Sequence, residues 1–181
     1  MASQRTLKSK VCLVGEKAVG KTSLISRFVT NMFRDKYIVT IGTKVSKRTV
    51  TLRRPGDHEL VVDMTIWDIM GEKGFRDLLK DAYFYGANGV LAVCDVTRLS
   101  TLEDLDDWVD QVVKVVGDVP LYVAVNKTDL GQPAFDESAV IAFAKAYNAP
   151  YVFTSAKSGE NVEKAFELLA YDMASNQLSW A

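Results

Sequence analysis

The chain has 181 residues, of which 48% are hydrophobic and 25% are charged, and its formal net charge is −1. These proportions are typical of a globular domain, and they exclude a disordered chain, a collagen and a coiled coil. No apolar run reaches the roughly 18 residues that a transmembrane helix requires, and the net charge provides no basic surface for nucleic acid. The length predicts a single domain.

The cysteines and the two termini favour a cytoplasmic protein. Cys12 and Cys94 lie within apolar runs, where a thiol is usually a buried and inert side chain. The first ten residues contain no apolar segment of the kind that a signal peptide has. Because the last residues, NQLSWA, include no cysteine for prenylation, we expect no intrinsic membrane anchor in this chain, and membrane attachment would need a partner or a lost tail.

Short apolar runs, predicted as strands, alternate with amphipathic segments, predicted as helices. The predicted strands are 11–15, 45–52, 60–67, 90–95, 121–126 and 151–154. The predicted helices begin at Gly20, at a capping box formed by Ser100–Glu103, after Asp136 and from Glu160. Residues 45–52 and 60–67 flank a Pro-Gly turn, which predicts an antiparallel hairpin. The continuously apolar runs instead predict parallel strands that are covered on both faces.

This alternation predicts an α/β fold of three layers. The expected sheet is mostly parallel and six-stranded, with one antiparallel edge strand and with helices on both faces. In such a sheet, ligands bind beyond the carboxyl ends of the strands. Four motifs follow predicted strands in this way, so we expect them to lie at one edge of the sheet.

The first motif, GEKAVGKT at 15–22, fits the pattern G-x-x-x-x-G-K-[ST] between a strand and a helix. Its glycines allow the backbone to wrap closely around phosphate oxygens, and the N–H groups at the start of the helix point at the anion. Lys21 can reach the β- and γ-phosphates, and the Thr22 hydroxyl can ligate Mg²⁺. The motif predicts a site for a nucleoside triphosphate.

The second motif is Asp68-Ile-Met-Gly71, at the end of the run VVDMTIW. An acid at a strand end can hold Mg²⁺ through water, and the glycine that follows can offer its N–H to a γ-phosphate. The pattern D-x-x-G is common in ordinary turns, and its place one strand pair after the first motif makes the functional interpretation the better one.

The remaining motifs follow the last two strands. In Asn126-Lys-Thr-Asp129, a carboxylate can accept from both the N1–H and the N2 amine of guanine. Adenine has no such pair of donors, so Asp129 predicts selection of guanine. The fourth motif, Ser155-Ala-Lys157, is weak alone, and it follows a strand where a loop can close over the base.

These four motifs, in this order and spacing, resemble those of the Ras-like small GTPases. The resemblance covers roughly residues 8–173, and the words TSLISRF, YIVTIG, TIWD and FYGANGV are similar to the Rab branch. It implies one small GTPase domain over 1–181, with the P-loop NTPase fold called the G domain. It also implies GTP/GDP and Mg²⁺ as ligands, and a slow hydrolysis of GTP to GDP and phosphate.

The resemblance further implies a molecular switch. GTP would order two loops, roughly 34–43 and 68–80, and loss of the γ-phosphate would release them. An exchange factor, an activating protein and effectors would read these loops. We expect a monomer that binds no nucleic acid and that reaches membranes, where it does, through partners.

Site residues transfer position by position from the resemblance. Thr40 would ligate Mg²⁺ only in the GTP state, Lys127 would cover the base, and Ala156 would offer its N–H to guanine O6. Phe33 would pack on the guanine ring, or it is a core aromatic at a helix end. The implied nucleotide-binding residues are Gly15, Lys17, Ala18, Val19, Gly20, Lys21, Thr22, Ser23, Phe33, Tyr37, Thr40, Gly71, Asn126, Lys127, Asp129, Ser155, Ala156 and Lys157. The implied metal ligands are Thr22, Thr40 and Asp68, and the implied catalytic residues are Lys21, Gly71 and Glu72.

Two residues depart from the family pattern. Glu72 stands where the family has a glutamine that orients the attacking water, and a carboxylate can accept a proton but cannot donate as an amide does. Glu72 is therefore either a base or catalytically idle. Lys17 stands where small residues are usual, and it supplies charge toward the γ-phosphate, blocks an arginine finger, or is simply solvated. Such departures suit a divergent or prokaryotic member.

Three classes of function follow from these residues. The first is a GTP-hydrolysing switch, and the second is a GTP-binding scaffold with little hydrolysis, which Glu72 favours. The third is a nucleotide kinase or ATPase that uses the same phosphate loop. The guanine-reading pattern at 126–129 argues against the third class.

Overall fold

A six-stranded sheet in the order β2-β3-β1-β4-β5-β6 forms the centre of the computed structural model, which describes residues 5–36, 38–54, 58–72, 74 and 81–178. The strands are β1 (Arg5–Val14), β2 (Thr43–Arg54), β3 (His58–Ile69), β4 (Gly89–Asp95), β5 (Leu121–Asn126) and β6 (Tyr151–Phe153). The edge strand β2 pairs antiparallel with β3, whereas the other pairings in this sheet are parallel. The predicted fold class is confirmed.

Helices flank the sheet in the described part of the chain. They are α1 (Lys21–Thr30), α2 (Leu99–Glu103), α3 (Leu105–Val116), α4 (Glu137–Ala146) and α5 (Val162–Leu178). Residues 81–84 are helical as well, and Thr128–Leu130 form a 3₁₀ turn. Among the described residues, no helix is both long enough and apolar enough to cross a membrane.

The two faces of the sheet carry two separate cores. Alternate residues of β1 divide between them: Val11 and Leu13 pack with α1 and α5, whereas Cys12 packs with α3 and α4. All seven residues of β4 are buried, as its unbroken apolar sequence predicts. Burial raises the pKa of Cys12 and of Cys94 to about 12, which suits the prediction of inert thiols.

The predicted boundaries are least accurate at β1 and at α2. The strand β1 begins at Arg5, six residues before the predicted start, because its first half pairs in parallel with β3 from the Arg5–Leu60 position onward. The predicted capping box at Ser100 is wrong, since α2 begins at Leu99 after an extended Arg98 and has no side-chain cap. The chain then turns at Asp104, so one predicted helix is two.

The start of α2 is held by a different residue from the predicted one. The Thr101 hydroxyl donates to the Arg98 carbonyl at 2.7 Å and accepts the Asp95 N–H at 2.9 Å. This side chain replaces the predicted cap by tying the first turn to the end of β4. By contrast, the predicted cap of α4 is confirmed, because the Asp136 side chain accepts from the Ala139 N–H.

The parallel strands bring their carboxyl ends to one edge of the sheet. The strands β1, β3, β4 and β5 end there at Val14, Ile69, Asp95 and Asn126. The loops that follow them, together with the segment after β6, therefore lie side by side. These loops contain all four sequence motifs.

Candidate functional site

A cavity of about 700 Å³ lies at this edge of the sheet. Its walls come from the loops after β1, β3, β5 and β6 and from residues 32–36 and 38–41. The predicted site residues that line it are Lys17, Ala18, Gly20, Lys21, Thr22, Ser23, Phe33, Thr40, Asp68, Gly71, Glu72, Asn126, Lys127, Asp129, Ala156 and Lys157. The structure thus brings residues that are far apart in sequence to one cavity of a size that a ligand could occupy.

Three predicted residues support the cavity from behind, and a fourth lies outside the described residues. The Gly15 carbonyl accepts from the Lys21 ammonium, and the Val19 carbonyl accepts from the Asn126 side chain at 3.0 Å. Ser155 is fully buried beneath the rim. Tyr37 lies outside the described residues, as does residue 73 and the range 75–80 of the second predicted switch.

The glycines of the first loop are required by close packing. A Cβ atom on Gly15 would lie 2.2 Å from the Val93 carbonyl oxygen, and one on Gly20 would lie 2.3 Å from Asn126 Nδ2. Gly20 also has φ +103°, a conformation that other residues rarely adopt. The loop can therefore press against β4 and β5 only because these two positions have no side chain.

Lys21 places a buried positive charge at the N-terminus of α1. Its ammonium, on a residue only 6% exposed, donates to the carbonyls of Gly15 at 2.7 Å and Glu16 at 3.0 Å. Burial lowers the pKa of Lys21 to about 8, and the carboxylates of Asp68 and Glu16 oppose this shift. An ammonium group beside the free N–H groups of a helix start is well suited to phosphate.

Three oxygen-bearing side chains converge next to Lys21. The Thr22 hydroxyl donates to Asp68 Oδ2, and the Thr22 and Thr40 hydroxyl oxygens are 2.9 Å apart. Thr40 also donates to Asp68 Oδ2 at 3.4 Å. Thr22 lies in the first turn of α1, Asp68 lies in β3, and Thr40 lies in an exposed segment between α1 and β2. We call Thr22, Thr40 and Asp68 the oxygen cluster.

The oxygen cluster has the chemistry that a hard divalent cation needs. Within the described part of the chain, Asp68 Oδ1 is buried and has no hydrogen-bond partner. Burial holds the pKa of Asp68 above its ordinary value, although the Thr22 hydrogen bond and the Lys21 charge oppose the shift. A carboxylate oxygen left unpaired beside two hydroxyls suits Mg²⁺, which binds oxygen ligands and keeps several waters.

Asn126 connects the phosphate loop with the loop after β6. It is 1% exposed, its Nδ2 donates to Val19, and its Oδ1 accepts from the Thr154 hydroxyl at 3.1 Å. The same oxygen accepts the Ala156 N–H at 3.3 Å, which is long for such a bond. The N–H that the resemblance assigns to guanine O6 thus donates to Asn126 in this structure.

Sequence reasoning missed Asp95 and Arg98, which fix Lys127 and the phosphate loop. The Lys127 ammonium donates to Ala18 O at 2.6 Å and to Asp95 Oδ2 at 2.7 Å. Arg98 donates to Asp95 Oδ2 and to the Lys17 carbonyl, each at 3.1 Å. The signal was present, because Asp95 follows an unbroken apolar run just as Asp68 follows the run VVDMTIW.

Electrostatics favour the charged form of Asp95. Burial alone would raise the pKa of Asp95, which is only 2% exposed. The hydrogen bonds from Lys127 and Thr97, and the Lys127 charge, outweigh burial and hold the pKa below its usual range. The carboxylate is therefore a fixed anchor beneath the cavity.

The rim of the cavity carries exposed charges. Asp129 is exposed, and the Ser155 hydroxyl donates to its Oδ1 at 2.7 Å, which orients the carboxylate. Lys157 approaches Asp35 at 4.0 Å across the opening, and both side chains are largely exposed. These residues stand where the resemblance places the guanine base.

The second motif meets the phosphate loop through Gly71. A Cβ atom there would lie 2.4 Å from the Lys17 nitrogen and 2.8 Å from the Gly15 carbonyl oxygen. Lys17 and Glu72 are exposed and line the cavity. Only glycine permits this contact between the two loops.

Two further side chains complete the walls. Phe33 lines the cavity and also packs, partly buried, against the core formed with α1 and α5; its packing on a guanine ring stays a prediction. Lys44 was not predicted. It lines the cavity and lies opposite Asp68 in the β2–β3 pairing, a relation that becomes visible only once the strand register is known.

This arrangement of fold and site defines a P-loop nucleotide-binding protein: a glycine-rich loop between β1 and α1, with a buried lysine, opens on a cavity at the carboxyl edge of the sheet. The sequence comparisons narrow the class. The family model for the Ras family matches residues 10–175, and the chain belongs to that family. It is a small GTPase of the Rab-like kind.

Its relatives include proteins from plants and from an amoeba. It is 34% identical to the GTP-binding protein YPTM1 of Zea mays over 159 residues, which cover 87% of this chain and 74% of that protein. It is 32% identical to the Ras-related protein Rab-1A of Dictyostelium discoideum over 166 residues, covering 91% and 79%. It is 33% identical to the Ras-related protein RABD2b of Arabidopsis thaliana over 159 residues, covering 87% and 76%.

Proposed function

We propose that this chain, as one domain, is a Mg²⁺-dependent guanine-nucleotide switch that hydrolyses GTP to GDP and phosphate. One observation carries the proposal. A single cavity has the buried Lys21 and the oxygen cluster at one end, and Asp129 and Ala156 at the other. We call these the phosphate end and the base end.

The residues of the phosphate end position charge and take no covalent part. Lys21 would place its ammonium against the β- and γ-phosphate oxygens, where negative charge accumulates in phosphoryl transfer. Thr22, Thr40 and Asp68 would hold Mg²⁺, which would supply positive charge to neutralise the phosphate oxygens. Gly71 would direct its N–H toward the γ-phosphate from its contact with the phosphate loop.

The residues of the base end would select guanine. The Asp129 carboxylate, oriented by Ser155, can accept from two neighbouring donors on the base. Adenine would leave that carboxylate without its partners, which is the strongest form of discrimination available to a binding site. The Lys127 stem would cover the base, and Phe33 would pack on its other side.

The switch function would depend on Thr40 and Gly71. Each belongs to a loop that contacts the phosphate end, and each would make a contact that GDP cannot support. A full swing between two loop states, from 1:99 to 99:1, requires about 5.5 kcal/mol of differential affinity. An exchange factor, an activating protein and effectors would read the loops. The protein would act as a cytoplasmic monomer recruited to a membrane through partners.

Glu72 supports a second candidate, a GTP-binding scaffold with little or no hydrolysis. Glu72 is exposed and lines the cavity beside Gly71. A carboxylate there adds negative charge near the γ-phosphate and cannot donate to it. Lys17, also exposed on the cavity, can supply a compensating positive charge.

The first experiment identifies the nucleotide that the purified protein carries. The protein is purified with Mg²⁺ present and denatured, and the released nucleotide is separated by ion-exchange chromatography. Mostly GDP is the result expected of a hydrolysing switch, whereas mostly GTP supports the scaffold. ATP or ADP would overturn the assignment of guanine. Single-turnover hydrolysis after loading with GTP then measures the rate directly.

The variant Glu72→Gln separates the two roles of Glu72. If Glu72 acts as the base, single-turnover hydrolysis should slow by about 10²-fold, within the usual contribution of general base catalysis. An unchanged rate would eliminate that role and leave Glu72 idle. Lys17→Ala is the companion variant, and an unchanged rate there would exclude catalytic use of the lysine.

A further inference from the structure

Arg27 of α1 connects the two loops that border the base end. Its Nε donates to the Ala156 carbonyl at 2.8 Å, and its Nη2 donates to the Lys157 carbonyl at 2.5 Å. Its Nη1 donates to the Asn31 carbonyl at 3.2 Å and to the Asn31 side-chain oxygen at 3.3 Å. One guanidinium group thus holds residues that are 4, 129 and 130 positions away in sequence.

The surrounding backbone is shaped to fit the Arg27 side chain. Asn31 ends α1 in the left-handed conformation, and its N–H donates back to the Arg27 carbonyl. The loop after β6 turns at Gly159, where φ is +88° and an added Cβ would lie 3.7 Å from Arg27 Cδ. A methyl group at this position would therefore just reach the methylene stem of Arg27, which lies beside the loop whose carbonyls the head group binds.

These contacts fix both peptide groups on either side of Ala156. The Ala156 N–H is held by Asn126 Oδ1, and the Ala156 carbonyl is held by Arg27 Nε. With both ends fixed, the backbone angles of this residue have little freedom. The direction of the Ala156 N–H is then set by Arg27 as well as by Asn126.

We propose that Arg27 is a positioning residue for base recognition: by fixing the Ala156 carbonyl, it keeps the Ala156 N–H, which donates to Asn126 Oδ1 at the long distance of 3.3 Å in this structure, within reach of guanine O6 as a second acceptor. The proposal rests on the proposed function, since it assumes that guanine occupies the base end. Arg27 lines no part of the cavity and acts only through the loop. A guanidinium group suits the task because its planar donors are fixed relative to one another and remain charged at any physiological pH.

The variant Arg27→Ala tests the proposal with two nucleotides, GDP and 6-thio-GDP. The second differs from GDP only at position 6, where sulfur is a weak hydrogen-bond acceptor. Affinities are measured by displacement of a fluorescent guanine nucleotide at constant Mg²⁺. We expect the substitution to lower the affinity for GDP by about tenfold, which is the effect of losing one charge-assisted hydrogen bond or slightly less. The loss of affinity for 6-thio-GDP should be clearly smaller, because the hydrogen bond from the Ala156 N–H to position 6 of the base is already weak in that nucleotide.

Two further variants separate positioning from general stability. Arg48 is the matched control, since it also anchors α1 through the Phe28 carbonyl and pairs with Glu163 of α5 but contacts no residue of the loop after β6. Arg48→Ala should lower the thermal midpoint and leave the ratio of the two affinities unchanged. Arg27→Lys retains charge without the planar pair of donors, and we expect an intermediate ratio. It also serves if Arg27→Ala fails to fold.

The outcomes distinguish this inference from the proposed function. If the wild-type chain does not prefer GDP to ADP, the proposed function falls and the inference with it. If the wild type prefers GDP but Arg27→Ala lowers the affinities for GDP and for 6-thio-GDP by the same factor, Arg27 has a structural role only. That result overturns this inference and leaves the proposed function standing. A selective loss for GDP supports both.

Discussion

The base end and the phosphate end of the cavity are held in different ways. At the base end, side chains link separate loops: Asn126 is 1% exposed, and the partly buried Lys127 binds both the phosphate loop and Asp95. At the phosphate end, Thr40 donates to Asp68 from a largely exposed segment, in which the next residue, Ile41, is 90% exposed. The base end is therefore a frame of loops that hydrogen bonds link to one another. The phosphate end combines the rigid phosphate loop with segments, those of Thr40 and Gly71, that few contacts hold in place.

This difference has a consequence for function. Segments with few buried apolar contacts open at low free-energy cost, whereas cross-linked regions open only with the whole fold. Substitutions at the base end should therefore affect stability and the affinities for GDP and GTP together. Substitutions in the attached segments of the phosphate end should change one affinity relative to the other.

The largest effect is expected from Asp95→Asn. The substitution leaves the cations of Lys127 and Arg98 without their shared carboxylate, and breaking a buried pair costs 3–5 kcal/mol where burial is complete. Because both cations are about one-third exposed, we expect a loss of about 2–4 kcal/mol in the free energy of unfolding. Urea denaturation at pH 7 measures it.

The pH dependence of Asp95→Asn gives a second test. The pKa of Asp95 is lower in the folded state, so its contribution is present above its unfolded value of about 3.9 and is lost as the pH falls through the folded value. The difference in the free energy of unfolding between wild type and variant should therefore narrow below about pH 4.

Asp63→Asn is the control for Asp95→Asn. It removes a carboxylate that accepts from Thr49 on β2, and it should change the free energy of unfolding by less than about 0.5 kcal/mol. If the two variants lose the same free energy of unfolding, Asp95 does not hold the base end together in the way proposed here.

The second effect, from Gly71→Ala, addresses the phosphate end. The new methyl group would collide with the Lys17 nitrogen at 2.4 Å, so the segment must move away from the phosphate loop. We expect a non-hydrolysable GTP analogue to bind about tenfold more weakly, with GDP affected much less, because one directed contact is lost. Equilibrium competition against a fluorescent nucleotide measures both affinities.

A neighbouring glycine provides the control for Gly71. Gly74 lies close to Gly71 in the chain, and a Cβ atom there would meet no atom of the described residues within 4 Å. Gly74→Ala should leave both affinities unchanged. If Gly71→Ala weakens GDP and the analogue equally, the two ends do not differ in the way that the structure suggests.

The sequence predicted the parts of the site that lie close together in the chain. The phosphate loop at 15–22 and the Asn126–Asp129 motif are local patterns whose backbone requirements appear in the residue types themselves. Asp95 could have been found by the same argument as Asp68, since each is an acid at the end of a buried strand. The six strands followed from their apolar runs for the same local reason.

Other features could not have been predicted, because they depend on distances set by packing. Arg27 meets a carbonyl 129 residues away, and Lys44 meets Asp68 only through the strand register. The predicted cap at Ser100 is replaced by Thr101, whose hydroxyl donates to the Arg98 carbonyl and accepts the Asp95 N–H at the end of β4. Local propensity is decisive only where no tertiary contact competes with it.

The smallest effect is expected at the base end, from Ser155→Ala. The Ser155 hydroxyl, which is fully buried, donates to Asp129 Oδ1 at 2.7 Å. Without this hydrogen bond, the exposed Asp129 carboxylate can rotate more freely. A hydrogen bond of this kind contributes about 1 kcal/mol, so GDP affinity should fall by about fivefold. IDP, which lacks the N2 amine, should lose less, because Asp129 has one donor fewer to bind. Ser158→Ala is the control, since that hydroxyl accepts the Glu160 N–H on the same loop and has no contact with Asp129. If GDP and IDP weaken by the same factor, Ser155 supports the loop without orienting the carboxylate.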